Sequence, residues 1–247
     1  MRSPRLFTDQ MLASGSRVTL TGSAAQHLGR VLRAKAGEEI NLFNGNGLEF
    51  VATISSVSKR EVSVDVGEAH SPDTESPVHT TLGLCLSKGD RFDWGIQKAT
   101  ELGVGAIVPL LSERVDFAIP ADRIEKRVAH WQQVAISACE QCGRVQVPLI
   151  APPEPLLSWI ENVSAAQKWV LHCVDSTGAS APTVPRETPR DAALLIGPEG
   201  GITQEEFDAA RARGFRLLPL GPRVLRTETA PAVALSVLSV FWGEMPA

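Results

Sequence analysis

Apolar and polar side chains alternate over several short runs in the first 70 residues, which predicts β-strands. The runs RVTLT, EINLF, LEFVATI and EVSVDV all have this pattern. An NGNG sequence at residues 44–47 supplies the positive φ angles of a hairpin turn between the second and third runs. One helical stretch, SAAQHLGRVLRAK, places Leu28, Val31 and Leu32 on a single face. Together these elements predict a small barrel-like β domain.

The pattern changes after a polar stretch at residues 70–77 that contains two prolines and is typical of a linker. Apolar runs such as TTLGLCL, AIVPLL, KWVLHC, AALLIG and RLLPLG now alternate with helical stretches, including residues 121–142, 204–213 and a last helix to Trp242. Continuous apolar strands that alternate with helices predict a parallel sheet covered on both faces. We therefore predict an α/β chain with a small β domain at residues 1–72 and a larger domain at 73–247.

Composition limits the function classes. The chain has 247 residues and a formal net charge of −4, from 24 basic and 28 acidic side chains. This balance excludes a protein that binds nucleic acid by bulk charge alone. No apolar run approaches the ~20 residues of a membrane span. The first ten residues also lack the apolar core of a signal peptide, so we expect a cytoplasmic protein with no membrane partner.

Charge is unevenly distributed along the first domain. Residues 1–36 carry six basic side chains and one acidic side chain, and residues 37–75 carry two basic and eight acidic side chains. A locally basic face can bind phosphate even in an acidic chain. From the charge count alone, an ordinary solvated surface is the better interpretation.

The four cysteines do not indicate a disulfide framework. Cys139 and Cys142 form a C-x-x-C pair, which could be half of a zinc site or a redox pair. The pair lies in a helical stretch, where positions three apart are neighbours in any case, and no second pair occurs. The histidines show no ligand spacing either. We therefore expect no metal site.

Two loops at the carboxyl ends of predicted strands could bind a ligand. The first is LLIGPEGGIT at residues 194–203, in which a buried strand enters a glycine-rich turn and then a T-x-x-E capping box. It matches neither the P-loop nor the dinucleotide-binding motif. A plain tight turn accounts for two of its glycines, but three glycines around Pro198 and Glu199 exceed what a turn requires.

The second loop is LGPRVLRTETAP at residues 220–231, which places Arg223, Arg226 and Glu228 close together. A surface ion-pair cluster is one interpretation. The following helix, AVALSVLSVFW, is apolar on every side. Such a helix must be buried in the core or against another subunit, which favours a functional loop.

Together, LLIGPEGGIT and LGPRVLRTETA resemble the motifs of the 16S ribosomal RNA uridine-N3 methyltransferases, a family of the SPOUT superfamily. The resemblance extends over nearly the whole chain, through QHLGRVLRAKAGEEI, KGDR at residues 88–91, QKATELGVGAIVPLLSERV and ACEQCGRVQVPLI. It implies a PUA-like β-barrel that binds RNA and a SPOUT α/β domain with a trefoil knot. It also implies a homodimer, S-adenosylmethionine as cofactor, and 16S rRNA within the 30S subunit as partner.

The resemblance also implies site residues. The cofactor would lie in three loops, at Leu171, His172, Ile196, Gly197, Pro198, Glu199, Gly200, Gly201, Leu220, Gly221, Leu225, Arg226, Thr229 and Ala230. The N-terminal cations Arg5, Arg17, Arg30, Arg33 and Lys35 are candidates for RNA binding, with Arg5 and Arg30 favoured by the family pattern.

Methylation at N3 requires removal of a proton from uracil. We assign Arg226 to stabilise the uracil anion, Glu228 to act as the base or to orient Arg226, and Glu199 as a second candidate base. Two alternatives stay open: a methyltransferase of this superfamily that acts on another rRNA or tRNA position, and a non-catalytic RNA-binding protein. Binding of S-adenosylmethionine would argue against the second.

Overall fold

The computed structural model describes residues 3–117, 119–172, 185 and 187–245. The chain divides into two compact units. The first comprises residues 1–75 and 139–147, and the second comprises residues 76–138 and 148–247. The first unit therefore includes a segment from the middle of the chain, which the alternation pattern did not indicate.

A five-stranded sheet forms the first unit, in the order β1-β3-β4-β5-β2. Its strands are β1 (Arg5–Phe7), β2 (Arg17–Leu20), β3 (Glu39–Phe43), β4 (Glu49–Val57) and β5 (Val62–His70). Strands β1 and β3 are parallel, and the other pairs are antiparallel. Gly45 and Gly47 have φ angles of +87° and +89° between β3 and β4, which confirms the predicted hairpin turn.

The helical stretch of this unit differs from the prediction. A short helix α1 (Gly22–Gln26) continues as a π-helix (His27–Leu32). Leu28 is fully buried, but Val31 is 68% exposed and Leu32 is 42% exposed, so the predicted apolar face is wrong for these two residues. A π-helix has more residues per turn than an α-helix, so Leu28 and Val31, three positions apart, no longer lie on one face. Leu32 is the last residue of the π-helix.

A seven-stranded sheet forms the second unit, in the order β12-β10-β11-β6-β7-β8, with β9 paired to β7. Its strands are β6 (His79–Cys85), β7 (Ala106–Leu111), β8 (Leu149–Ile150), β9 (Glu154–Pro155), β10 (Gln167–Leu171), β11 (Asp191–Ile196) and β12 (Arg216–Leu217). All pairs are parallel, as predicted. Strand β12 is shorter than the predicted run RLLPLG, because Pro219 has no N–H to donate to a neighbouring strand.

Helices cover both faces of this sheet. They are α2 (Arg91–Glu101), α3 (Ile124–Cys142), α4 (Leu156–Asn162), α5 (Gln204–Ala212) and α6 (Thr229–Phe241). On one face, Ala193 and Leu195 of β11 belong to the same buried cluster as Trp159 of α4 and Phe207 of α5. On the other face, Leu84 of β6 lies so close to α2 that a Cβ at Gly95 would come within 3.1 Å of it. No helix in the described part of the chain is both long and apolar enough to cross a membrane.

The apolar helix α6 is buried on one side only in the single chain. Ala234, Leu235 and Leu238 are buried, whereas Val240 and Phe241 remain 39% and 37% exposed. The sequence predicts that such a helix is covered on every side. Part of its apolar surface is therefore left open to a further partner.

Candidate functional site

Parallel strands end at a common edge of the sheet, so the loops that follow β6, β7, β10, β11 and β12 begin together. The two predicted ligand loops are among them. Leu171 and Ile196, the last residues of β10 and β11, are direct neighbours across the sheet. The structure therefore brings together the ends of two predicted cofactor segments; Cys173, which ends the run KWVLHC, lies outside the described residues.

The glycine-rich loop after β11 turns back sharply on itself. A Cβ at Gly197 would lie 3.0 Å from the Ile202 side chain and 3.1 Å from the Ile202 nitrogen. Gly201 has a φ angle of +69° and donates its N–H to the Pro198 carbonyl at 2.8 Å. These positions need glycine for space or for backbone conformation, so the loop presents backbone rather than side chains.

A buried carboxylate fixes the end of this loop. Glu206 of α5 is 4% exposed and accepts the Thr203 N–H at 2.9 Å, while the Thr203 hydroxyl accepts the Glu206 N–H at 3.2 Å. This is the predicted capping box, and the structure confirms it. The second oxygen of Glu206 accepts the N–H of Glu113 at 2.9 Å. The Glu206 carboxylate therefore also ties the loop after β7 to the loop after β11.

We expect the Glu206→Ala variant to lose about 1–3 kcal/mol of unfolding free energy, because two backbone N–H groups lose their acceptor. Urea unfolding followed by circular dichroism measures the change. The matched control is Glu205→Ala, which removes an exposed acid from the same helical turn and should change stability by less than about 0.5 kcal/mol. Equal stability of both variants would contradict the role assigned to Glu206.

Two arginines from other loops reach the glycine-rich loop. Arg114, after β7, donates to the Gly200 carbonyl at 2.7 Å. Arg91, at the start of α2, forms an ion pair with Glu199 at 2.8 Å. The sequence interpretation did not assign either arginine to the site. Arg91 lies in KGDR at residues 88–91, just after the apolar run of β6, and this position at a strand end is a local signal for a site residue.

His172 follows β10 and stacks on Phe207 of α5, with ring centroids 4.3 Å apart and planes inclined by 20°. Burial, with a smaller contribution from the nearby Arg114 guanidinium, lowers the pKa of His172 below its usual value. The neutral imidazole is therefore favoured near neutral pH. An uncharged, stacked ring is suited to forming one wall of a ligand site.

The second predicted loop follows β12, which pairs with β10 and is separated by it from β11. The Leu218 N–H donates to the Val170 carbonyl of β10 at 3.0 Å, just before the loop leaves the sheet. Its end is held by the Arg226 carbonyl, which accepts the N–H groups of Thr229 and Ala230 in the first turn of α6. Gly221 has a φ angle of +88°, which glycine adopts without strain.

The Arg226 side chain points away from this anchored backbone. It is 80% exposed, and Nη1 lies 3.9 Å from Oε1 of Glu228, whose side chain is 17% exposed. The structure therefore places an exposed guanidinium beside a largely buried carboxylate. The catalytic roles of the two residues stay predictions. Glu199, the other candidate base, is paired with Arg91 instead.

Arg5 has a structural role that the sequence did not indicate. Its guanidinium pairs with the buried Glu49 carboxylate. The same guanidinium donates to the carbonyls of Cys139, Glu140, Gly143 and Arg144 at the end of α3. A cation suits the C-terminal end of a helix, where carbonyls lack partners. Its donors are committed within the unit, so we remove Arg5 from the proposed RNA contacts.

The other N-terminal cations are exposed. Arg17 forms a two-point ion pair with Asp65, with contacts of 2.7 and 3.2 Å. Arg30, Arg33 and Lys35 have no carboxylate partner among the residues that the structure describes. These three remain available to an anionic partner.

Cys139 and Cys142 are free thiols. Burial raises the pKa of Cys139 to about 12, which keeps it protonated, and its thiol lies 3.6 Å from the Gln146 carbonyl. Cys139 also packs with Phe43 and Val145 in a small buried cluster. Within the described residues, no group of three or more histidine, cysteine or acidic side chains has the arrangement of a metal site.

Comparison with known proteins identifies the family. A model of an RNA methyltransferase domain matches residues 74–239, and a model of an RNA methyltransferase PUA domain matches residues 20–67. The ribosomal RNA small subunit methyltransferase E of Buchnera aphidicola from Schizaphis graminum is 31% identical over 99% of this chain and 98% of its own. The chain belongs to the ribosomal RNA small subunit methyltransferase E family. The predicted resemblance is thereby confirmed.

Other members of the methyltransferase E family match over similar lengths. The Bacillus subtilis protein is 31% identical over 94% of this chain and 93% of its own. A methyltransferase structure from Legionella pneumophila, solved with bound S-adenosylmethionine, is 39% identical with a TM-score of 0.91, covering 97% of this chain and 98% of that one. The Neisseria gonorrhoeae methyltransferase E, also bound to S-adenosylmethionine, is 34% identical with a TM-score of 0.85, covering 98% of both chains.

Proposed function

We propose that this member of the methyltransferase E family transfers a methyl group from S-adenosylmethionine to N3 of a uridine in 16S rRNA. The observation that carries the proposal is the pair of loops at one edge of a parallel sheet. One loop presents glycine backbone, and the other presents Arg226 beside Glu228. Full-length relatives that are named for small-subunit rRNA methylation support the same substrate.

The residues present fit S-adenosylmethionine. Gly197 and Gly201 remove side chains from a loop that is held by Glu206 and Arg114, so the backbone of this loop can come close to a ligand. His172 would line the site as an uncharged ring. The residues that would bind the cofactor are the set implied by the family resemblance: Leu171, His172, Ile196, Gly197, Pro198, Glu199, Gly200, Gly201, Leu220, Gly221, Leu225, Arg226, Thr229 and Ala230. When bound, the cofactor supplies an electrophilic methyl group.

The chain's own residues would then prepare the uracil. N3 carries a proton at neutral pH, and its removal leaves an electron pair on N3 and negative charge shared with the ring oxygens. Arg226 would donate to one of these oxygens, because its planar guanidinium presents several N–H groups in a fixed arrangement. Glu228 would accept the N3 proton or orient Arg226. We favour Glu228 over Glu199, whose carboxylate is engaged by Arg91.

N3 lies on the Watson–Crick edge of uracil, so the target must be unpaired or turned out of its helix. Residues 1–72 would bind the surrounding RNA as a PUA-like domain, through Arg17, Arg30, Arg33 and Lys35. Residues 73–247 would be the SPOUT methyltransferase domain, in which the chain forms a trefoil knot. The working location would be the cytoplasm, where 30S subunits are found.

We also propose a homodimer. The apolar helix α6 leaves the apolar side chains of Val240 and Phe241 exposed at its end. A second copy of this chain would cover this surface. Light scattering on the purified protein measures the assembly, and a Phe241→Glu variant should shift it towards the monomer.

The test is methylation in vitro with labelled S-adenosylmethionine, using naked 16S rRNA, assembled 30S subunits and tRNA as separate substrates. Mass spectrometry of the digested RNA should identify 3-methyluridine. Another modified nucleoside, or modification of tRNA alone, would contradict the proposed target and favour a different substrate. Tight RNA binding without cofactor binding or methyl transfer would favour the non-catalytic alternative.

A further inference from the structure

Cations of the first unit fall into two groups according to their partners. Arg5, Arg17 and Arg144 each pair with a carboxylate of the same unit, at Glu49, Asp65 and Glu75 respectively. The second group has no carboxylate partner within the described residues. It comprises Arg30, Arg33, Lys35, Lys59 and Arg60. The positive charge left unneutralised in this unit therefore comes from a few identified side chains.

Three of these cations line one surface cleft. The cleft is lined by Gly22, Gln26, Arg30, Lys59 and Arg60 and has a volume of about 410 Å³. No carboxylate is among its lining residues. We call it the basic cleft.

Its two walls are close in space but distant in sequence. One wall is the segment of α1 and the π-helix, and the other is the turn between β4 and β5 at residues 58–61. A Cβ at Gly29 would lie 3.8 Å from the Val57 side chain, so the walls meet beneath the cleft. Lys59 and Arg60 lie in the stretch 37–75, whose net charge is negative. The net charge of that stretch therefore does not indicate a basic site.

Both walls are held by contacts that do not involve the side chains of Arg30, Lys59 and Arg60. The Ser58 hydroxyl accepts the N–H groups of Arg60 and Glu61 at 3.4 and 3.1 Å, and the Ser58 N–H donates to the Glu61 carbonyl at 2.8 Å. Leu28 anchors the π-helix in the core of the sheet. π-Helical turns are rare and often mark functional sites. The cations are thus presented by ordered backbone and are free to contact a partner.

Exposed apolar side chains adjoin the cleft residues in sequence. Val31 follows Arg30 in the π-helix, and Val57 precedes the turn that carries Lys59; both are exposed. Fixed cations next to exposed apolar groups match a strand of RNA, which alternates phosphates with sugar and base faces. An acidic protein segment matches only the charges.

We propose that the basic cleft binds the phosphodiester backbone of the rRNA substrate, with Arg30, Lys59 and Arg60 as its phosphate contacts. The proposal rests on the proposed function and adds two residues, Lys59 and Arg60, that the sequence interpretation did not assign. Unlike Arg5, whose donors are committed within the unit, these three side chains have no carboxylate partner among the described residues.

The experiment measures binding of the full-length protein to a 16S rRNA transcript and to 30S subunits at several salt concentrations. The test variant is Arg30→Ala/Lys59→Ala/Arg60→Ala. We expect its affinity to fall by an order of magnitude or more at low salt, and the slope of log K against log salt to decrease by about 2, at about 0.7 for each lost single-strand contact. Its S-adenosylmethionine affinity and melting temperature should match the wild type.

A control with equal charge separates the cleft from bulk electrostatics. Arg123, Lys126 and Arg127 lie in the second unit, are exposed and have no carboxylate partner among the described residues. The triple alanine variant at these positions should bind RNA with wild-type affinity and slope. Equal weakening by both triple variants, or no change in the cleft variant, would overturn the proposal.

The outcomes also distinguish failure of the cleft proposal from failure of the proposed function. Wild-type protein that binds RNA through the cleft but transfers no methyl group would contradict the methyltransferase proposal and leave the cleft assignment standing. Wild-type protein that methylates 16S rRNA, with a cleft variant of unchanged RNA affinity and unchanged KM for RNA, would contradict only the cleft.

Discussion

Replacement of Arg226 by alanine is expected to lower kcat for methyl transfer by roughly 100- to 1,000-fold, the usual effect of removing one donor that stabilises a developing anion. The guanidinium is 80% exposed, and only the backbone carbonyl of Arg226 supports α6. The fold should therefore survive the substitution. Single-turnover transfer of label from S-adenosylmethionine to 30S subunits measures the rate.

Two further variants test whether the effect of Arg226→Ala depends on the guanidinium of Arg226 in particular. Arg226→Lys keeps the charge but lacks the planar set of donors, so it should recover only part of the rate. Arg223→Ala removes a second exposed cation from the same loop and should keep nearly the whole rate. If Arg226→Ala were fully active, or if Arg223→Ala were equally impaired, the assigned electrostatic role would be wrong.

Replacement of Arg5 by alanine should destabilise the protein by about 3–5 kcal/mol, because it leaves the buried Glu49 carboxylate without its cation. It also removes the donor to four carbonyls at the end of α3. Denaturant unfolding measures the loss. If the alanine variant does not fold, Arg5→Lys provides the test, since a single ammonium group cannot reproduce all these contacts and should give an intermediate loss.

Arg17→Ala is the matched control for Arg5. It removes an exposed arginine that is paired with Asp65 in the same sheet, and because solvent screens such surface pairs, the loss of stability should be far smaller than for Arg5→Ala. Both substitutions remove one positive charge from the same unit. Similar stability of the two variants would contradict the structural role of Arg5.

Local signals made much of the fold predictable. The turn at residues 44–47 and the capping box at Thr203 and Glu206 depend on neighbours within a few residues, and both are confirmed. The parallel sheet followed from continuous apolar runs. The π-helix did not follow, because the same apolar spacing fits an ordinary helix, and only the structure shows Val31 and Leu32 facing solvent.

The site was predictable where its residues share a loop. The glycine-rich turn and the pair of Arg226 and Glu228 each occur in one short motif. The contacts of Arg91 and Arg114 and the second hydrogen bond of Glu206 were not predictable. They join loops that are 86 to 108 residues apart in sequence and meet only at the edge of the sheet. For the same reason, composition could not show that Arg5 is neutralised internally.

The segment at residues 139–147 has a consequence for how the first unit forms. Its last helical turn and the two residues after the helix supply the carbonyls that Arg5 binds, and Cys139 and Val145 complete a buried cluster with Phe43. A fragment that ends at residue 72 would lack these partners and expose an apolar surface. During synthesis, the first unit can be completed only after residue 147 has left the ribosome, when more than half of the chain is already made.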